Sequence, residues 1–208
     1  MQKILVRLAL QLHSFSYKLA STFAILAEDG LHPKHRLMNY HQFFLDHIQS
    51  TDRVLDIGCG NGALAYDLAG KAARVVGIDT NEKNRAVWQT RFARENLEYR
   101  VTDATTFASQ EMFDVVVLSN VLEHIEHRVD FLTRIKHLAP LFLIRVPMID
   151  RDWITLYKKE FGLESRLDTT HFTEYTLDGF AQELARAGLM IQSHSIQFGE
   201  IWAVVSTS

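Results

Sequence analysis

One stretch, Val54-Leu55-Asp56-Ile57-Gly58-Cys59-Gly60-Asn61-Gly62, constrains the fold more than any other. A short apolar run enters three alternate glycines and then a helical pattern at Ala63–Ala69, which reads as strand, tight turn and helix. Three glycines so close together cost backbone entropy that a plain turn would not justify. The turn is therefore expected to pass close to a ligand.

From Arg53 onward, short apolar runs alternate with helical periodicity. Strands are predicted at Val54–Ile57, Arg74–Ile78, Leu97–Val101, Val115–Leu118 and Leu141–Val146. Helices are predicted at Ala63–Ala69, Glu82–Ala93, Val129–Leu138 and Leu177–Ala187, the last closed by Gly188. Such alternation demands a mostly parallel α/β sheet with helices on both faces. Two further runs, Met190–Gln197 and Ile201–Val205, are separated only by Phe198, Gly199 and Glu200. A link that short makes a hairpin, so the last strand should run antiparallel to the others. The 208 residues, 47% apolar and 23% charged, suit one core.

The glycine turn admits two ligands. With Asp79 twenty-one residues beyond Gly58, it satisfies a dinucleotide fingerprint and leaves a nicotinamide-dependent reductase as one reading. Read as Asp-x-Gly-x-Gly-x-Gly, it is a loop for the methionine part of S-adenosylmethionine. Asp56 favours the second, because a pyrophosphate has little use for a carboxylate there and a cationic sulfonium ligand does. Asp79 with Thr80, Asp103 with Ala104, and Asn120 follow the next three strands, where open α/β sheets bind ligands. An acid in such a place is often only a helix cap, but here three polar positions stand in register behind the loop.

Through Leu55-Asp56-Ile57-Gly58-Cys59-Gly60-Asn61-Gly62 and Ser119-Asn120-Val121-Leu122-Glu123-His124, residues 32 to 205 resemble the class I S-adenosylmethionine-dependent methyltransferases. The resemblance is nearest to the small-molecule group that includes the ubiquinone-biosynthesis O-methyltransferases. It implies a Rossmann-like seven-stranded sheet with a reversed last strand, and S-adenosyl-L-methionine as cofactor. It also implies a cofactor site lined by Asp56, Gly58, Cys59, Gly60, Asp79, Thr80, Asp103, Ala104 and Asn120. An arginine upstream of the loop meets the cofactor carboxylate in similar enzymes, and Arg36 is the candidate. Some relatives hold a divalent cation with Glu-x-x-Glu-His and a further histidine. Here Asn120 replaces the first glutamate, so no metal is expected, although Glu123, His124 and His171 remain a possible set.

The segment from Pro147 to Thr173 is too long for an ordinary connection and is expected to build the acceptor pocket. Its Asp168-x-x-His171 spacing suits a carboxylate that orients an imidazole base, or simply a turn. Transfer to a hydroxyl requires removal of its proton, which points to O-methylation of a small-molecule acceptor (a sugar, phenol or lipid-linked metabolite), with His124 or His171 as base. A non-catalytic cofactor-binding subunit stays open as an alternative.

Residues 1–31 form an N-terminal extension to the domain at 32–208. Ile4, Leu8, Leu12, Phe15, Leu19, Phe23 and Leu26 recur at helical spacing, and no acidic residue occurs before Glu28. Lys3, Arg7 and Lys18 keep this helix from being a membrane span. Its apolar face is expected to pack on the domain or on a second copy, with docking on an anionic membrane surface as the alternative. Twenty-two basic against twenty-five acidic residues argue against a nucleic-acid partner. The single cysteine, Cys59, excludes an internal disulfide and suits a cytoplasmic setting.

Overall fold

The computed structural model describes residues 1–28, 32–107 and 111–207. The expected boundary at residue 31 therefore lies outside the described residues. Helix α1 (Gln2–Ala27) precedes two short helices, α2 (Lys34–Met38) and α3 (Tyr40–Asp46). The alternating part then runs β1 (Arg53–Ile57), α4 (Ala63–Ala69), β2 (Arg74–Asp79), α5 (Arg85–Arg91), β3 (Leu97–Val101) and β4 (Val115–Ser119). It continues through α6 (Arg128–Ile135), β5 (Leu141–Pro147), α7 (Trp153–Glu160), α8 (Leu177–Ala187), β6 (Leu189–Gln197) and β7 (Glu200–Thr207).

The seven strands form one sheet in the order β3-β2-β1-β4-β5-β7-β6. Strands β1 to β5 pair in parallel, and β7 inserts antiparallel between β5 and β6 through a turn at Phe198 and Gly199. The hairpin expected from its short link is present. Two predicted helices come out divided: Glu82–Asn84 and Lys136–Leu138 are 3-10 turns that flank shorter α-helices. Tightening of this kind is ordinary at helix ends.

Both sheet faces are covered, as a parallel sheet requires. On one face Phe131, Leu132 and Ile135 of α6 and Phe180 and Leu184 of α8 pack on Leu55, Val116 and Ile144. On the other, Phe44 of α3, Leu64 and Leu68 of α4 and Trp88 of α5 pack on Val54, Val117 and Leu143. Strand order reverses between β1 and β4, and this places the crevice for a ligand at their carboxyl ends.

The N-terminal helix does not lay its apolar face on the domain, one of the places expected for it. Leu10 is its one buried residue, and it meets the domain through Arg7, whose Nη1 donates to the Phe161 carbonyl, and through His13 and Ser21, which bond Lys158 and His32. The apolar stripe from Ile4 to Leu26 does not pack on the domain and faces solvent. The bonding groups lie on the other side of the helix, so docking through them turns the stripe outward.

Candidate functional site

The loop after β1 is fixed by backbone bonds and by aromatic packing. Gly58 and Cys59 donate N–H bonds to the Ile78 carbonyl, and Trp88 Nε1 donates to the Gly60 carbonyl at 2.9 Å. Gly60 and Gly62 both have left-handed backbone, with φ of 54° and 90°. A Cβ on Gly62 would lie 2.5 Å from the Tyr99 hydroxyl, whereas one on Gly60 would meet nothing within 4 Å. Gly62 is thus required for packing, and Gly60 opens onto free space.

Beneath this loop two carboxylates approach each other. Asp79, at the end of β2, accepts from the N–H of Gly60 at 2.9 Å and of Asn81 at 2.8 Å. Its two oxygens keep further lone pairs for a ligand. Asp56, in β1, is 1% exposed, and its Oδ2 has no hydrogen-bond partner among the described residues. Burial, and then the charge of Asp79, push its carboxyl up to about 8. A buried acceptor without a donor costs about 1–3 kcal/mol, so this carboxylate is arranged for a cationic group. Burial also pushes the neighbouring Cys59 thiol up and keeps it protonated.

The other predicted residues lie along the same edge with varied engagement. Asp103 spends one oxygen on a local turn, accepting from the N–H and hydroxyl of Thr105, and Ala104 packs against the core. Thr80 is exposed beside Asp79. Asn120 has a left-handed φ of 56°, and its Oδ1 accepts from Arg145 Nε at 3.1 Å. Arg36 is exposed and ion-paired to Glu28 of the N-terminal extension. That pairing occupies it in this structure.

A second cluster gathers around the turn after β4. His124 and His171 stack edge to face at 4.7 Å between ring centres. The predicted orienting pair is different from the observed one: His171 Nδ1 bonds Glu174 Oε1 at 3.0 Å, not Asp168. Asp168 Oδ1 instead accepts from the N–H and hydroxyl of Thr170, and the Thr170 oxygen lies 3.0 Å from His124 Nδ1. Because the Thr170 hydroxyl gives its hydrogen to Asp168, it accepts from His124 Nδ1. A carboxylate accepts only, so Glu174 fixes the same tautomer on His171. In its neutral form each ring then carries its lone pair on Nε2. Burial and the adjacent His171 lower the pKa of His124 and favour its neutral form.

Glu123 completes this cluster. It is fully buried, both carboxylate oxygens lack a partner among the described residues, and burial pushes its carboxyl up to about 7. One ligand atom from each of Glu123, His124 and His171 lies within 4.8 Å of the others.

Sequence reasoning passed over Arg145 and Glu174. Arg145, on β5, is 3% exposed, lies 3.6 Å over the Tyr40 ring and 3.3 Å from Glu200, and its Nη1 has no partner among the described residues. One charge inside the apolar run Leu141–Val146 was the available signal. Glu174 receives the N–H of Leu167, the His171 ring and Arg151. Burial pushes its carboxyl up, but these bonds outweigh it and hold the group below its ordinary range.

A family model described as a methyltransferase domain matches residues 31–194. The chain is 40% identical over 89 residues to a ubiquinone biosynthesis O-methyltransferase of Roseobacter denitrificans, covering 41% of this chain and 36% of that protein. A protein of the same name from Nitrobacter winogradskyi is 29% identical over 167 residues, covering 74% and 64%. The chain thus spans less than two thirds of the length of these curated relatives. Magnesium protoporphyrin IX methyltransferase from Synechocystis PCC 6803, solved with bound SAH, shares the fold. Its TM-score is 0.64 at 19% identity, over 84% of this chain and 83% of that one.

Proposed function

Because the chain belongs to the methyltransferase domain family, we propose that it uses S-adenosylmethionine to methylate a hydroxyl on a small-molecule acceptor, most specifically a phenol. The observation that carries this reading is the buried, partnerless Asp56 carboxylate beneath an open glycine loop. It fits the ammonium and sulfonium charges of S-adenosylmethionine. A nicotinamide pyrophosphate would instead meet two acidic side chains, Asp56 and Asp79, where it needs hydrogen-bond donors and positive charge. When bound, the cofactor supplies a methyl group on a cationic sulfur, open to in-line displacement.

The chain's own residues have three tasks in this reading. Asp56, the turn at Gly58 to Gly60, Asp79 with Thr80, Asp103 with Ala104, and Asn120 hold the cofactor along the sheet edge. Arg36 joins them only if it leaves Glu28. The segment after β5 encloses the acceptor. His124 or His171, with Nε2 unprotonated, takes the proton of the acceptor hydroxyl, while Asp168 acts on His124 through Thr170 and Glu174 acts on His171. A phenol, with a pKa about 10, suits a histidine base better than a sugar hydroxyl does. The name of the curated relatives, ubiquinone biosynthesis O-methyltransferase, supports transfer to oxygen.

A second reading rests on Glu123, whose buried oxygens face two histidines. In it Glu123, His124 and His171 hold a divalent cation, which would polarise the acceptor oxygen as a Lewis acid. Transfer of labelled methyl from S-adenosylmethionine to a panel of catechols, with and without EDTA, tests both. Product formation that survives EDTA supports the histidine base, loss restored by magnesium or zinc supports the cation, and no methylated hydroxyl under either condition removes the O-methylation reading.

A further inference from the structure

We propose that the outward face of α1 docks the protein on an anionic lipid surface. Ile4, Leu8, Leu12, Phe15, Leu19, Phe23 and Leu26 are each between 42% and 70% exposed. A contiguous exposed apolar face of this size marks an interaction site. The helix is not merely loose. Leu10 is buried against the domain, and Arg7 and His13 bond the end of α7, so the stripe faces away from the body on a helix that is already fastened.

Period and charge decide which occupant fits. The seven residues are spaced four, four, three, four, four, three, an eleven-residue repeat. Such a repeat denies a second copy the usual left-handed pairing, which needs seven-residue spacing, and leaves it only a right-handed one. A flat surface needs only a stripe that stays on one side, and this one does. Residues 1–27 carry no acidic side chain; Arg7 is bonded to the body, and the exposed Lys3 and Lys18 are left as the ionic groups for an outer surface. Two such helices would bring only like charges together, whereas anionic headgroups complement them. Next to α1, helix α7 exposes Trp153 and Leu156, and tryptophan favours the interfacial zone of a bilayer. No described helix is long and apolar enough to cross a membrane, so the arrangement is one of lying on the surface. This inference does not depend on the acceptor.

Flotation of the full chain with phosphatidylglycerol vesicles, compared with phosphatidylcholine vesicles, tests it. Binding to phosphatidylglycerol should be stronger by about tenfold or more, from the charge of Lys3 and Lys18. The double variant Leu12→Glu with Phe15→Glu alters only exposed positions. It should lose flotation while keeping its melting temperature and S-adenosylhomocysteine affinity. Lys3→Glu with Lys18→Glu should weaken binding by a similar factor. Absence of flotation on phosphatidylglycerol, or equal binding to both vesicles, would overturn the proposal. So would a vesicle-free dimer that Leu12→Glu with Phe15→Glu dissociates, because a second copy would then be the occupant.

Discussion

Replacing Asp56 by Asn should make the empty protein more stable and weaken its hold on the cofactor. A carboxyl moved from 3.8 to about 8 by burial and by Asp79 costs the folded chain on the order of 6 kcal/mol when fully ionised, at about 1.4 kcal/mol per pKa unit. The folded state binds the extra proton, so stability falls as pH rises from near 3.8, and the whole cost is present above about 8. The asparagine amide is still buried without a partner and retains a penalty of about 1–3 kcal/mol. A net gain of roughly 3–5 kcal/mol is therefore expected at high pH, which corresponds to about 6–20 °C for a domain of this length. Near pH 5 the gain should largely vanish. Loss of a charged partner should weaken S-adenosylhomocysteine by about 1.5–3 kcal/mol, at least tenfold. Thermal melts at pH 5 and pH 8.5, with and without that ligand, read both effects. A variant that melts lower at pH 8.5 yet keeps its ligand-induced shift would refute the argument that Asp56 is held buried for a cation.

Three further outcomes follow from the same geometry. His171→Ala should lower turnover by about a hundredfold with S-adenosylhomocysteine affinity nearly unchanged, and Glu174→Gln should reduce it less; equal loss of cofactor binding would place the pair in the cofactor pocket. If His124 is the base, its lowered pKa keeps it neutral at pH 7, so activity should fall in acid with a midpoint below 6.5; a midpoint above 7 in the pH–rate profile would exclude it. Gly62→Ala, which drives a methyl into Tyr99 at a positive φ, should destabilise the domain by about 1–3 kcal/mol in denaturant titration, and an unchanged midpoint would contradict the packing described.

Period and punctuation made the sheet legible before any coordinates. Apolar runs bounded by turn residues gave each strand within a residue or two, and the short link at Phe198 and Gly199 gave the reversed β7. Asp56 stood out because an acid inside an apolar run needs a reason. The Glu174–His171 bond was not legible, since Asp168 and Glu174 both lie three positions from His171 and only the path of the loop chooses between them. Arg145 escaped because its partners Tyr40, Asn120 and Glu200 come from three distant segments. The outward stripe of α1 was read correctly as amphipathic, but periodicity defines a face without saying what covers it.

The central claim is that the carboxyl edge of β1 to β4 binds S-adenosylmethionine and not a dinucleotide. Calorimetric titration of the full chain with S-adenosylhomocysteine, repeated in the presence of NAD, measures this directly. The geometry predicts saturable one-to-one binding that NAD leaves unchanged. Saturable binding of NAD, with no heat from S-adenosylhomocysteine, would contradict it.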